Sequence, residues 1–291
     1  MEEYNDEVLH KIWDVELGIY DEFVRICNKY NLCYFAAYGT VLGAIRHKGF
    51  IPWDDDMDLG MPRKDYEKFL KVAPKELNEK YELLESRLTD GYVMPFAKLT
   101  RSDTTFVEAT DTDRKYHSGI FVDIFPYDLV PKNKTERLKI EDKCWWIART
   151  MVLCDYPKPK LPSTMNGIVK NVAYFVCGIM NLLLKLIGQS ASKLQEKYTN
   201  IASSFGNKND SKTYAEFMMY KYGGSPEETD ITLTESELFP TKEVQFENRT
   251  ILVPNDSDAY LKKTYGEYME LPPLEKRHCH FPAILKFSED Q

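Results

Sequence analysis

The segment Trp53-Asp54-Asp55-Asp56-Met57-Asp58-Leu59-Gly60 places four carboxylates within five positions. Read as a β-strand it alternates faces. Asp54, Asp56 and Asp58 then share one side, while Asp55 and Met57 point away, Met57 into the core. Carboxylates crowded on one face repel one another, and without a compensating cation some must keep their protons. A divalent metal removes the conflict, and an all-oxygen donor set suits Mg²⁺ or Mn²⁺. The competing reading is a solvated acidic turn after Trp53.

The context favours the metal. Gly39-Thr40 precedes a helical start at Val41–Ile45. Backbone amides at such a helix N-terminus can hold phosphate oxygens, and the helix dipole favours negative charge there. A glycine turn for phosphate, followed by strand carboxylates that hold metal ions on phosphate oxygens, is the layout of a nucleotidyltransferase-type site. Such sites take a further carboxylate from a neighbouring strand. Asp123 stands alone in the apolar, β-forming run Gly119–Pro126, where a lone carboxylate needs a metal or a partner. A salt bridge to a buried Arg or Lys is the alternative. Asp128, two residues past Pro126, is expected to cap a turn.

The run from Tyr38 to Gly60, YGTVLGAIRHKGFIPWDDDMDLG, resembles the signature of the LicD family. That family includes bacterial phosphocholine transferases and is similar to the fukutin-related ribitol-phosphate transferases. The resemblance continues through Phe96–Leu99, Thr105-Phe106 and Gly119–Pro126. It resumes at Tyr265–Pro273 and at Glu275–His278, so that about residues 30–130 and 240–282 are covered.

The resemblance implies a nucleotidyltransferase-like fold, Mg²⁺ dependence, a CDP-linked donor such as CDP-choline and a glycan hydroxyl as acceptor. The acceptor would belong to lipopolysaccharide, teichoic acid, capsule or a lipid-linked precursor. By motif position, Asp54, Asp56 and Asp58 are the metal carboxylates and catalytic residues, with Asp123 completing them. Gly39 and Thr40 would face donor phosphate, with Arg46, Lys48, Lys98 and Arg277 as further phosphate contacts. His278 and His280 are the weakest candidates. A quaternary ammonium has no N–H to donate and must be held by aromatic faces and carboxylates. Trp53, Tyr92 and Phe106 are the expected rings. Unlike the fukutin-related branch, the chain shows no Cys or His spacing for a structural zinc site.

The elements that must position these groups are read from periodicity. Val8, Ile12, Val15, Ile19, Phe23 and Ile26 mark an amphipathic helix over 5–30 with Asn5 as N-cap. A short strand over 33–38, the glycine turn and a second helix follow. Residues 46–53 form a basic loop, Pro62 ends the acidic strand, and a helix begins at Asp65–Val72. Strands are expected at 81–84, 93–99, 104–108 and 119–125, and later at 216–220 and 244–253. Helices are expected at 134–154, 164–188, 190–205 and 258–265. The fold class is therefore α+β: a nucleotidyltransferase-like mixed sheet flanked by helices, with an additional helical region. The expected division is a catalytic core over 1–130, a mainly helical insertion over 131–235, and a segment over 236–291 that returns to the core.

Composition sets the outer limits. The 291 residues are 43% hydrophobic and 29% charged, which excludes a disordered or fibrous chain. A net charge of −8 argues against a protein that grips nucleic acid through a basic surface. Six scattered cysteines without a CxxC pair read as reduced, mostly buried thiols, and the acidic start lacks a signal peptide's pattern. The expected location is the cytoplasm, peripheral at the inner face of the membrane. The helix over 168–187 carries that last expectation. It is very apolar but interrupted by Lys170, Asn171, Asn181 and Lys185, and reads as a core helix, an interfacial helix or a span.

The expected activity is Mg²⁺-dependent transfer of phosphocholine, or a related alcohol phosphate, from a CDP-linked donor to a cell-surface glycan, with release of CMP. A CDP-ribitol or CDP-glycerol polyol-phosphate transferase, a true nucleotidyltransferase and a membrane scaffold with an inactive fold are the alternatives.

Overall fold

A computed structural model describes residues 4–108, 114–161, 165–206, 212–217, 231–277 and 279–288. The chain runs α1 (Asp6–Tyr30), β1 (Phe35–Ala36), α2 (Tyr38–Arg46), β2 (Asp58–Pro62), α3 (Arg63–Glu76), β3 (Tyr81–Leu84), β4 (Ala97–Arg101), β5 (Thr105–Glu108) and β6 (Phe121–Leu129). It continues with α4 (Lys134–Asp155), α5 (Gly167–Leu186), α6 (Ala191–Ala202), β7 (Thr213–Ala215), β8 (Leu233–Thr234) and α7 (Glu235–Leu238). The last elements are β9 (Lys242–Phe246), β10 (Arg249–Val253), α8 (Ser257–Tyr265) and β11 (Pro282–Lys286). The fold is α+β, as expected.

The central sheet has the order β1-β2-β6-β4-β3, with β7 and β8 extending from β6. β2 and β6 are parallel, and the other pairings are antiparallel. Leu59 and Met61, with Val122 and Ile124, are fully buried on one face of the parallel pair, which leaves Asp58 and Asp123 on the other. α1 buries Ile12, Ile19, Phe23 and Ile26 against this sheet, and the Asn5 side chain accepts from the Glu7 amide as its N-cap. The β9–β10 hairpin and α8 join the same core through Phe246, Ile251, Val253 and Tyr260. A second core forms where Cys144, Ile147 and Met151 of α4 meet Leu194 and Tyr198 of α6.

The structure corrects several expected elements. The acidic run is not a strand as far as Asp58: Asp54–Met57 is irregular and β2 starts at Asp58. The first strand shrinks to Phe35–Ala36, because α2 already begins at Tyr38 and takes Gly39 and Thr40 into its first turn. The expected strand at 216–220 lies instead at Thr213–Ala215, and residues 218–220 are outside the described set. The run over 244–253 is a hairpin rather than one strand. All six cysteines are free; Cys27, Cys144 and Cys154 are buried, whereas Cys33 is exposed.

Candidate active site

Register, rather than local sequence, assembles the acidic site. Asp58 of β2 pairs with Asp123 of β6, and Asp123 pairs with Lys98 of β4. Residues directly opposite in a ladder project to the same face. Asp58, Asp123 and Lys98 therefore stand side by side across three strands. The Lys98 ammonium lies 2.9 Å from Asp123 Oδ1 and 3.2 Å from Oδ2, hydrogen-bonding to the latter. The two readings of Asp123 thus meet: it has a buried lysine partner and also faces the aspartates.

Asp54 and Asp56 reach the same face from the irregular segment. α1 holds that segment from beneath, where Trp13 Nε1 donates to the Asp54 carbonyl at 2.8 Å. Asp55 turns the other way, as expected, and is buried: it accepts from the Tyr4 hydroxyl at 2.6 Å and from the His280 backbone amide at 2.7 Å. Met57 is fully buried. The start of β2 is fixed by α2, because the Thr40 hydroxyl accepts from the Asp58 amide at 2.7 Å and the Ala37 amide donates to the Asp58 carbonyl at 2.9 Å. Thr40 is thus a positioning residue beneath Asp58 and does not line the cleft, contrary to its expected contact with phosphate.

Gly39 lines the cleft, and a Cβ at this position would lie 2.8 Å from Asp54 Oδ2. The glycine is therefore required by the aspartate as much as by any ligand. Gly39→Ala is expected to displace the Asp54 carboxylate and to cut turnover by roughly 10²-fold while the melting temperature changes little. Wild-type turnover in this variant would refute the coupling.

The cleft has a volume of about 1130 Å³. Asp54, Asp56, Asp58, Asp123 and Lys98 form its floor. Tyr38, Trp53, Tyr92, Phe96, Tyr116, Phe121, Phe125, Tyr265 and Tyr268 supply aromatic walls, with Glu108, Glu267 and Glu270 among them. Arg46 also lines it and donates to the carbonyls of Tyr268 (2.6 Å) and Glu270 (3.4 Å), tying α2 to the C-terminal wall. Arg277 lies 4.2 Å from the Trp53 ring centroid and donates to the Pro272 carbonyl, so it braces the Trp53 wall. The phosphate role expected of it would have to compete with these contacts.

Two further residues, besides Thr40, fall outside the site expected for them. Phe106 is fully buried edge-to-face on Phe121 and is a core residue. Lys48 is exposed, away from the cleft, and its carbonyl accepts from the Glu247 amide. Both stand next to site motifs in the chain, but strand alternation and loop direction turn them away. His278 lies outside the described residues.

Electrostatics shows how strained the carboxylate cluster is. Burial, then the charge of Asp56, holds Asp54 well above the usual carboxylate range; burial, then Asp56 and Asp123, does the same for Asp58. Asp56 is raised by burial, against the pull of His280. Burial pushes Asp123 up to about 6, with Lys98 opposing. Among the described residues no three His, Cys, Asp or Glu side chains stand together at ligating distances. The all-carboxylate donor set nevertheless suits a hard divalent cation, which would supply the counter-charge that these crowded aspartates lack.

Two groups escaped the sequence reading, and a third entered it only as a weak candidate. Glu16 of α1 is buried beneath the cluster, its Oε2 without a hydrogen-bond partner, and burial followed by Asp56 and Asp55 raises it well above its usual range. Its signal was a carboxylate placed between Ile12 and Ile19 on the apolar stripe. His280, taken as a weak candidate, lies 3.3 Å from Asp56 and 3.5 Å from Asp55. The hydrogen bond to Asp55 and the charge of Asp56 push it up to about 9 against burial. Tyr38 adopts φ +43° at the head of α2, donates from its amide to the Tyr260 hydroxyl and packs edge-on to Phe125. Such backbone conformations in non-glycine residues concentrate at functional sites.

Comparison with known proteins gives the family. A family profile described as LicD/FKTN/FKRP, nucleotidyltransferase domain, matches residues 31–155. The lipopolysaccharide cholinephosphotransferase LicD of Haemophilus influenzae is 30% identical over 274 residues, covering 91% of this chain and 92% of that protein. The chain belongs to the LicD family. An uncharacterized Rickettsia typhi protein is 30% identical over 115 residues, covering 40% of this chain and 35% of its own length. A LicD-family chain of this kind is a phosphotransferase.

Proposed function

We propose that this LicD-family enzyme transfers phosphocholine from CDP-choline to a hydroxyl of a lipopolysaccharide-type glycan and releases CMP. The observation that carries the choice of alcohol is the cleft lining. Beside the aspartates it offers tyrosine, phenylalanine and glutamate, the groups that hold a quaternary ammonium, each aromatic face contributing ~0.5–2 kcal/mol. No Asn or Gln lines it among the described residues, whereas a ribitol or glycerol chain would call for several such hydrogen-bonding partners. The cholinephosphotransferase activity named for the Haemophilus relative supports the same choice. One face of Trp53 is already taken by Arg277 and Lys98 lies 3.2 Å from the Phe121 centroid, while Tyr92 is fully buried, so Tyr116, Phe96 and Phe125 are the better rings for choline.

Asp54, Asp56 and Asp58, with Asp123, would hold Mg²⁺ or Mn²⁺. The metal would supply charge stabilisation at the donor diphosphate, the main need of phosphoryl transfer. α2 begins at the cleft without a side-chain cap, and although its Tyr38 and Thr40 amides are engaged within the protein, its dipole suits the same diphosphate. Lys98 keeps Asp123 in place and adds positive charge at the floor. The acceptor oxygen bonds to the phosphorus that carries choline, the bond from that phosphorus to the CMP oxygen breaks, and the hydroxyl proton passes to a carboxylate of the cluster.

The test is competition among equal amounts of CDP-choline, CDP-ethanolamine, CDP-glycerol and CDP-ribitol with Mg²⁺, following CMP from each. CDP-choline is expected to lead by tenfold or more. Preference for a polyol donor would reject the choline assignment, and pyrophosphate release from a nucleoside triphosphate would make the protein a nucleotidyltransferase.

A further inference from the structure

α5 is an apolar helix that the fold leaves uncovered. Only Asn181 and Leu184 are buried. The opposite side carries Ile168, Val172, Phe175, Ile179, Leu182 and Leu186 at helical spacing, with Phe175 70% and Leu186 72% exposed. A stripe this long is far larger than the isolated apolar side chains normal on a soluble surface.

Charge around it points to what covers it. The chain as a whole has a net charge of −8, yet residues 131–206 hold twelve Lys and Arg against five Asp and Glu, a net of +7. No acidic residue occurs between Asp155 and Glu196, while Lys158, Lys160, Lys170, Lys185 and Lys193 all fall in that stretch. Lys143, Lys193 and Lys197 gather around one groove between α4 and α6. Lys193 also donates to the Gly188 carbonyl at 2.6 Å, which places the groove against the C-terminal end of α5. Trp146 of α4, 64% exposed, adds an amphipathic ring of the type that settles at a bilayer surface.

We infer that α5 and the lysine groove form a docking face for an anionic phospholipid bilayer, with α5 lying in the plane of the interface. α5 is long and apolar enough to cross a membrane, but topology opposes a single crossing. α4 and α6, which precede and follow α5, pack against each other in one core, so both ends of α5 return to the same body. Asn181 donates from its amide to the carbonyls of Leu153 and Cys154, pinning α5 to the end of α4. Were α5 to span, the connection over 156–166 would have to return through hydrocarbon with unsatisfied backbone groups. In the interface the apolar stripe enters the acyl boundary while the lysines meet anionic headgroups. The docked layer also touches the cleft wall: Gln195 of α6 donates to the Pro95 carbonyl, between the cleft residues Met94 and Phe96.

Flotation of the full chain with vesicles tests this without donor or acceptor, so its outcome is independent of the activity assigned above. The protein is expected to float with phosphatidylcholine vesicles containing phosphatidylglycerol, to bind pure phosphatidylcholine at least tenfold less, and to be released by alkaline carbonate. Phe175→Glu/Leu182→Glu should abolish flotation, and Lys143→Glu/Lys197→Glu should lower it about tenfold, both with unchanged melting curves because these side chains face solvent. Failure to float with anionic vesicles overturns the inference. So does a dimer that Phe175→Glu/Leu182→Glu dissolves, since a second copy would then own the face, and so does resistance to carbonate, the mark of a span.

Discussion

Asp58→Asn is expected to lose turnover by about 10³-fold or more, ~4 kcal/mol of transition-state stabilisation, while remaining folded. Asp58 is fixed on both backbone sides, by Thr40 and Ala37, and is paired in register with Asp123. Asparagine keeps the shape and the backbone bonds but removes the charge that the proposed cation on the donor diphosphate would need. The fold should not suffer. Asp58 is buried among Asp54, Asp56 and Asp123, and its ionised form is disfavoured there, so a neutral side chain relieves repulsion. Two measurements check this together: steady-state CMP release with Mg²⁺, and the melting temperature in chelator-treated buffer. Near-normal turnover would remove the metal cluster from the mechanism, and a large drop in melting temperature would make Asp58 structural. Asp56→Asn is expected to behave in the same way.

Asp128→Ala should do the opposite, with large damage to stability and little to the chemistry. Asp128 is fully enclosed in β6 and accepts a two-pronged bond from Arg63 at the head of α3, at 2.9 and 2.7 Å. It is not the turn cap expected from the nearby proline. Removing one member of a buried pair leaves the other charge uncompensated, which costs ~3–5 kcal/mol. In a chain of this size the melting temperature should fall by on the order of 10 °C. Activity per folded molecule at low temperature should stay within a few-fold of wild type, since Asp128 does not line the cleft. Arg63→Met/Asp128→Leu should recover most of the loss, because an apolar pair of similar volume avoids the desolvation cost. A loss of turnover without a loss of stability would place Asp128 in the active site instead. Asp123→Asn is the contrasting variant: its defect is expected in turnover.

The sequence by itself determined the helices and the kind of chemistry. α1, α4, α5 and α6 follow from apolar spacing and, for α1, from the cap Asn5, because helix bonds join residues four apart and leave a local trace; the caps Asn133, Asn166 and Ser190 emerged with the structure. The crowding of Asp54, Asp56 and Asp58 announced a demand for countercharge in whatever conformation they take up, and the motif blocks carried the family. Only the tertiary structure decided which side chains share the site. The floor of Asp58, Asp123 and Lys98 exists through strand register between residues 25 to 65 positions apart, and no local pattern encodes register across such distances. The expected strand through Asp54 and Asp56 gave way to a segment held by Trp13, since the β2 ladder begins only where Asp58 meets β6. Phe106 went to the core and Lys48 to solvent for the same reason: their directions depend on partners distant in the chain. Glu16 was legible only as an oddity on an apolar stripe, because burial of a carboxylate beneath four others is a property of the packed whole. The helix over 168–187 shows the division most plainly. Its apolarity was local and visible, whereas the packing of α4 on α6, which brings both its ends back to one body, is a long-range contact that only the folded chain contains.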